Sequence, residues 1–363
     1  MLVQAESLKR IVSAILEKGG SSNNESQVVA EHLVRANLAG HDSHGVGMLP
    51  FYVKMLKSKL LLPNQKPEMK KTNGSIMMFD GKRGYGQAVG KMAMEQAIEK
   101  CRETGLVLMT LRNSHHLGRI GTYGEQSIEA GMVSMHFVNV TDHFPLVAPY
   151  RGSDARFSTN PICLAMPGTK NQSPVLLDMA TSRIALGKAR VAINKNETLD
   201  DGLVIDHKGQ PSNNPGVMAG YLYPEREDNP PLGALSPLGE YKGYGLALFC
   251  ELFGGVLSGG GTIQPGNKRH DSIINNMFTL LINPVKLVDI PWMQHEIEEI
   301  TSFCKKSPPA NPEEPVLIAG DPERFCEKER KANGIPIDKT TWEQILEGGE
   351  TLGLSRIEIE KMI

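Results

Sequence analysis

No apolar stretch in this sequence approaches the ~20 residues that a membrane-spanning helix needs. The first 20 residues carry Glu6, Lys9, Arg10, Glu17 and Lys18 in place of the apolar block of a signal peptide, and no membrane partner is expected. Neither sign of charge is in marked excess. Lys and Arg total 39 against 41 Asp and Glu, a net of −2. No basic surplus exists to neutralise phosphates, so nucleic acid is not expected as a partner. Cysteine is sparse. Cys101, Cys163, Cys250, Cys304 and Cys326 are odd in number, widely spaced and without a CxxC pair, which reads as reduced thiols in a cytoplasmic protein. Several chemistries also lack their residues. There is no Walker pattern for phosphates, no HExxH or Cys partner for a metal, and no GxSxG elbow for a nucleophilic serine.

What is present is a globular composition, 363 residues with 40% hydrophobic and 22% charged, long enough for two domains and for a core that needs no disulfide. Leu8, Ile11, Val12, Ile15 and Leu16 recur at helical spacing, and Ser22 with Glu25 reads as a capping box before Val29 and Leu33. Strand-like runs follow at residues 75–79, 106–111, 133–140, 162–166, 175–178 and 278–282, with helical periods over 87–102 and 244–257. The Pro- and Gly-rich stretch 215–237 reads as a long loop. The tail returns to helices, with Asp321 as an N-cap before Pro322 and capping-box patterns at Thr341/Gln344 and Ser355/Glu358. The pattern predicts an α/β (α+β) fold: residues 1–72 with 285–363 as a discontinuous helical domain built from both chain ends, and residues 73–284 as an α/β domain for binding.

Five segments are candidates for chemistry. Gly84, Gly86 and Gly90 follow a strand and open a helix, but the spacing is GxGxxxG and no acidic residue ends the next strand to hold a ribose. A Gly-rich turn is therefore favoured over a dinucleotide site. His41 and His44 lie in Gly40-His41-Asp42-Ser43-His44-Gly45, and His115 and His116 in Asn113-Ser114-His115-His116-Leu117-Gly118. Both clusters fall where an element ends, the usual place for reactive groups. Asp178, in Leu176-Leu177-Asp178-Met179-Ala180-Thr181-Ser182, reads equally as a ligand contact or as the N-cap of a following helix. Lys242, in Tyr241-Lys242-Gly243-Tyr244-Gly245, stands at the positive end of an apolar helix, where it is either a partner for an anion or a solvated lysine.

Taken in order and at these separations, with Thr159-Asn160-Pro161 between them, these segments make the chain resemble the type 2 malate/L-lactate dehydrogenase family over nearly its whole length, most of all the hydroxycarboxylate dehydrogenase B subgroup. The resemblance implies a nicotinamide-dependent oxidoreductase of 2-hydroxy acids that also works as a 2-oxo acid reductase. It further implies a non-Rossmann, nicotinamide-binding mixed sheet and a homodimer. It places the acid/base histidine on His116. It places cofactor contacts on His44; on Gly118, Arg119 and Ile120; on Leu176, Leu177, Asp178, Met179 and Ala180; on Tyr241 or Lys242; on Asn275; and on Ala319, Gly320, Asp321 and Pro322. NAD is the expected cofactor and NADP the alternative, because Asp321 is a carboxylate and no arginine cluster stands among these positions to meet a 2′-phosphate. No metal is expected. Cyclic-imine carboxylate reduction with the same cofactor, and a silent nucleotide-binding protein, are the competing readings.

One departure from the family bears on the substrate, a small 2-oxo or 2-hydroxy acid. Many members have Arg where this chain has Met48. A bidentate clamp for a carboxylate is absent there, so aromatic or branched 2-oxo acids become better candidates than malate. Arg119 and Arg112 are the candidates to supply the missing charge.

Overall fold

Residues 1–363 are described by the computed structural model, the side chain of Asn194 being set aside. The strands, in chain order, are β1 (Leu2–Val3), β2 (Glu68–Asn73), β3 (Ile76–Asp80), β4 (Leu106–His115), β5 (Val133–Thr141), β6 (Ile162–Met166), β7 (Val175–Met179), β8 (Val204–Ile205), β9 (Pro211–Ser212), β10 (Ala234–Leu235), β11 (Ile274–Ile282) and β12 (Ile335–Pro336); the polar β2 (EMKKTN) is an exposed edge. Seven of them form the main sheet, in the order β2-β3-β4-β11-β5-β6-β7. β2 and β3 are antiparallel, whereas β3 and β4 are parallel with Phe79 opposite Leu111. The sheet is thus mixed, and β11 enters between β4 and β5 from late in the chain. That is not the winding of a Rossmann sheet.

The helices are α1 (Ala5–Lys18), α2 (Asn23–Leu38), α3 (Leu49–Lys57), α4 (Gly86–Thr104), α5 (Gly121–Glu129), α6 (Leu186–Lys195), α7 (Ala219–Leu222), α8 (Tyr241–Cys250), α9 (Ile290–Lys305), α10 (Asp321–Asn333), α11 (Lys339–Thr351) and α12 (Arg356–Glu360). The chain divides into two compact units. One comprises Met1–His136, Cys163–Asp178 and Thr279–Ile363, the other Phe137–Ile162 and Met179–Phe278.

In the first unit the apolar stripe of α1 (Leu8, Ile11, Val12, Ile15, Leu16) packs with Val29 and Leu33 of α2, Tyr52 of α3, and Ile335, Trp342, Ile345 and Leu346 from the other end of the chain. Each such Leu or Ile contributes about 1.5–3 kcal/mol by leaving water, so the two chain ends stabilise one another. Several caps differ from the sequence expectation. Ser22 accepts from Glu25 N, but the Glu25 carboxylate turns to Asn64 N instead of completing the box. The last helix does form the reciprocal box between Ser355 and Glu358. Thr341 lies inside α11, whose cap is Asp338. α10 is capped by Gly320 at φ +94°, one residue before Asp321.

The second unit holds the small sheet β10-β8-β9 and a core of Leu146, Val147, Ile184, Val217, Met218 and Leu235. Residues 215–237 are not one loop. Asn214 accepts from Gly216 N at 2.8 Å and starts a 3-10 turn that continues into α7, and β10 follows. The apolar helix expected over 244–257 begins at Tyr241 and widens into a π-helical stretch at Glu251–Leu257. There Glu251 accepts from Asn139, Asn160 and the Ile263 N–H, which anchors the widened turn.

Candidate active site

β4 runs on to His115, four residues beyond the apolar run that announces it. His115 is fully buried beside the rings of Phe51 and Tyr52, and burial pushes its imidazole down to about 3. The glycines at the start of α4 serve this packing. An ideal Cβ on Gly86 would lie 2.3 Å from the carbonyl oxygen of His116, and one on Gly90 would lie 2.7 Å from the ring of Tyr123. The GxGxxxG spacing therefore lets a helix rest on the backbone of the histidine pair and on α5.

His44 arrives from the turn after α2. Asn37 fastens that turn, accepting from Val46 N at 2.8 Å and donating to Asp42. Arg330 of α10 holds Asp42 through both carboxylate oxygens. An ideal Cβ on Gly45 would sit 2.2 Å from the Asn37 amide oxygen, so only glycine fits. His41 faces Glu323 at 3.3 Å, tying the same turn to α10.

The turn delivers His44 Nδ1 to within 3.3 Å of His116 Nε2, the rings stacked 5.3 Å apart at 24°. Burial lowers the pKa of His44 to about 4, with Asp178 opposing and His41 and Arg119 reinforcing, so His44 is neutral near pH 7. On the other side of His116, Nδ1 lies 2.7 Å from the hydroxyl of the fully buried Tyr52. Tyr52 is also 2.7 Å from Gln87 Nε2. Burial raises the Tyr52 phenol well above its ordinary value, so it stays a neutral donor and acceptor.

A charged cluster braces the loop that follows. The Arg119 side chain is wholly buried and donates to Glu125 at 2.8 Å. Glu125 also takes two bonds from Arg35, at 2.7 and 3.1 Å, and Arg35 reaches Glu327 at 2.7 Å. Burial pushes the Glu125 carboxyl up, but Arg119 and Arg35 more than reverse this, so its pKa falls below the ordinary 4.5. Asp178, on the edge strand β7, accepts from Gly121 N at 2.7 Å and lies 3.8 Å from Arg119 Nε. It thus caps α5, an element from elsewhere in the chain, and not the helix that follows it.

The first unit therefore gathers His44, His116, Gly118, Arg119, Ile120, Leu176, Leu177 and Asp178. Ala319 O accepts from Leu176 N at 3.2 Å, which lays Ala319–Pro322 along β7. Asp321 is not a free carboxylate there. It pairs with Arg324 at 2.6 Å and Lys305 at 2.9 Å, which weakens the argument that it repels a 2′-phosphate. Met179, Ala180, Tyr241, Lys242 and Asn275 belong to the second unit, where Lys242 stands in the first turn of α8 and Asn275 on β11. Arg112 is committed to Asp80 at 3.1 Å. Sequence reasoning missed Tyr52, Gln87, Arg35 and Glu125. Tyr52 reads as a core aromatic in an amphipathic helix, and Gln87 as a polar residue of a first turn. Among the described residues no group of three or more His, Cys, Asp or Glu side chains is placed to hold a metal ion, and no helix is long and apolar enough to cross a membrane.

Comparison with known proteins sets this geometry in a family. The sequence model of the malate/L-lactate dehydrogenases matches residues 3–346. Hydroxycarboxylate dehydrogenase B of Escherichia coli (strain K12) is 41% identical over 352 residues, 96% of this chain and 94% of that protein. L-lactate dehydrogenase of Cupriavidus necator is 37% identical over 355 residues, 98% of this chain and 99% of that protein. Among solved structures, sulfolactate dehydrogenase from Methanocaldococcus jannaschii superposes with a TM-score of 0.85 at 31% identity, covering 99% of each chain. The chain with the His44–His116–Tyr52 cluster belongs to the malate/L-lactate dehydrogenase family.

Proposed function

We propose that this dehydrogenase of the CH–OH group interconverts 2-hydroxy and 2-oxo acids, with His116 exchanging the proton. The observation that carries the reading is the buried line Gln87–Tyr52–His116–His44, which fixes one imidazole from both sides. A bound nicotinamide supplies the hydride. The residues fit such a group. Arg119 Nε and Nη2 and Thr122 Oγ1 are buried donors with no hydrogen-bond acceptor. Gly118, at φ +74°, and Gly121, whose Cβ would meet Arg119 at 2.7 Å, are glycines that the backbone and the packing of this loop require. His44, Gly118–Ile120, Leu176–Asp178 and Ala319–Pro322 would hold the cofactor from the first unit.

In reduction, negative charge grows on the substrate carbonyl oxygen, and a protonated His116 neutralises it as it forms. In oxidation the neutral ring takes the hydroxyl proton. His44, neutral beside it, adds no competing positive charge. NAD is the proposed cofactor, with NADP admissible. All five cysteines are free thiols, which suits a cytoplasmic enzyme. A homodimer is proposed as well. Tyr241, Leu248, Leu252 and Val256 recur along one face of α8 and its π-helical extension, and each is at least 38% exposed, an apolar row of the kind that a second copy would cover.

The test is a panel of 2-oxo acids, with piperideine-2-carboxylate as the cyclic-imine arm, assayed with NADH and NADPH by nicotinamide absorbance. His116→Ala should lose roughly 10²–10⁴-fold in turnover while cofactor binding changes far less. The reductive rate should fall, and the oxidative rate rise, as pH climbs through the His116 pKa. A folded His116→Ala protein with near-normal turnover ends this reading.

A further inference from the structure

The two ends of the buried line are unequal. Gln87 is 1% exposed and faces Tyr52 at 2.7 Å through Nε2, yet its Oε1 is buried with no partner. Gln87 lines a cavity of about 410 Å³ together with His32 and Thr122. His32 Nε2 and Thr122 Oγ1 are likewise buried without partners. Tyr52 is thus the hydrogen-bond partner that holds the amide in place.

The polarity of the line has chemical consequences. With the amide nitrogen donating to Tyr52, the phenolic hydrogen goes to His116 Nδ1. That polarity demands the neutral tautomer with hydrogen on Nε2, and an Nε2 that already carries its hydrogen takes no proton from a substrate hydroxyl. With the amide turned over, Oε1 accepts the phenolic hydrogen and the phenol oxygen accepts Nδ1–H. The same heavy-atom positions serve both cases, because amide oxygen and nitrogen are alike in size. In the second polarity the imidazolium is stabilised for reduction, and the neutral ring keeps Nδ1–H with a bare Nε2 for oxidation. The displaced amide NH₂ then faces the cavity. His32, which burial takes to about 3 and so leaves neutral, lines the same cavity.

We propose that Gln87 is a positioning residue for the proton step: by giving its amide oxygen to Tyr52 it keeps hydrogen on His116 Nδ1 and leaves Nε2 as the nitrogen that exchanges with substrate. The proposal rests on the reading of His116 as the acid/base group. In reduction the Nε2–H bond breaks and its electron pair stays on Nε2. The proton forms the new O–H bond, and the carbon beside it takes the hydride. The proton that Nδ1 holds never leaves.

Two variants separate acceptor from filler. Gln87→Glu keeps an acceptor toward Tyr52, and Gln87→Leu removes it. The groups facing His116 include His44 and Tyr52, with Asp178, Arg119 and His41 acting behind His44 and His115 behind Tyr52; neither variant changes these. Gln87→Leu is expected to lose roughly 10- to 100-fold in kcat with little change in KM for the 2-oxo acid. Gln87→Glu should keep most turnover and move the alkaline limit of reduction upward by about one pH unit. In protein carrying ¹⁵N-histidine without cofactor, His116 should show Nδ1–H in the wild type and Gln87→Glu, and Nε2–H in Gln87→Leu. Adding Tyr52→Phe should erase the difference between the two variants, since the coupling runs through that hydroxyl. An unchanged His116 tautomer in folded Gln87→Leu overturns the proposal, as does an unchanged kcat and pH profile. The nitrogen spectra report on Gln87 without reference to turnover, so a failure of His116 as the acid/base group, seen in His116→Ala, stays distinguishable.

Discussion

Glu125 is the residue whose replacement most directly tests the charge cluster beneath the site. Glu125→Gln keeps the shape and removes the charge. Arg119, with no side-chain exposure, would then retain only Asp178 at 3.8 Å, whereas Arg35 would keep Glu327 at 2.7 Å. Breaking a buried pair by removing one partner costs about 3–5 kcal/mol, because the other charge stays buried. At about 2–4 °C per kcal/mol for a unit of this size, Tm should fall by roughly 10 °C at neutral pH, read by circular dichroism or calorimetry. The pH dependence has a definite sign. The carboxyl pKa is depressed below 4.5 in the folded state, so its stabilisation is present above the unfolded value and is lost as pH falls through the folded one. The Tm gap between wild type and Glu125→Gln should therefore be full at neutral pH and close in acid. Glu125→Gln combined with Arg119→Met, which removes both charges, should recover part of the loss. A gap below about 2 °C at neutral pH, or one unchanged at about pH 3.5, refutes the argument.

Three further outcomes follow from the site. Met48 is half-buried against the helical core; Met48→Arg should raise kcat/KM for oxaloacetate relative to phenylpyruvate by roughly tenfold, the scale of one charge-assisted pair, and a wild type that already strongly prefers oxaloacetate defeats the reasoning. Asp321→Asn leaves Lys305 and Arg324 unmatched and should shift the ratio of specificity constants toward NADPH; a ratio that stays put or moves toward NADH speaks against Asp321 lying near the adenosine ribose. Sedimentation at micromolar concentration should give twice the chain mass, and Leu252→Glu on the exposed face of α8 and its extension should drive the protein toward monomer; a wild-type monomer removes the dimer.

Features that depend on neighbours along the chain are legible before any fold is known. The stripe of α1 follows from apolar residues at helical spacing, and the strands β6 and β7 from short apolar runs, because a buried face imposes its period on local sequence. The Ser355 box is legible for the same reason, since both of its bonds close within three residues. The two histidine clusters stood out because small and polar residues crowd them at the ends of elements. Tertiary structure alone decided the rest. Whether Gly86 cradles a phosphate or packs on a carbonyl depends on what meets it, and His116 O lies 30 residues away in sequence. Asp178 caps α5 through a contact spanning 57 positions. Tyr52 and Gln87 carry no local mark, since a phenol in a helix stripe reads as core until the fold brings a buried imidazole nitrogen to its hydroxyl. Burial is set by the whole fold, and it is burial that holds His44 neutral and makes each unpartnered polar atom costly enough to shape the site.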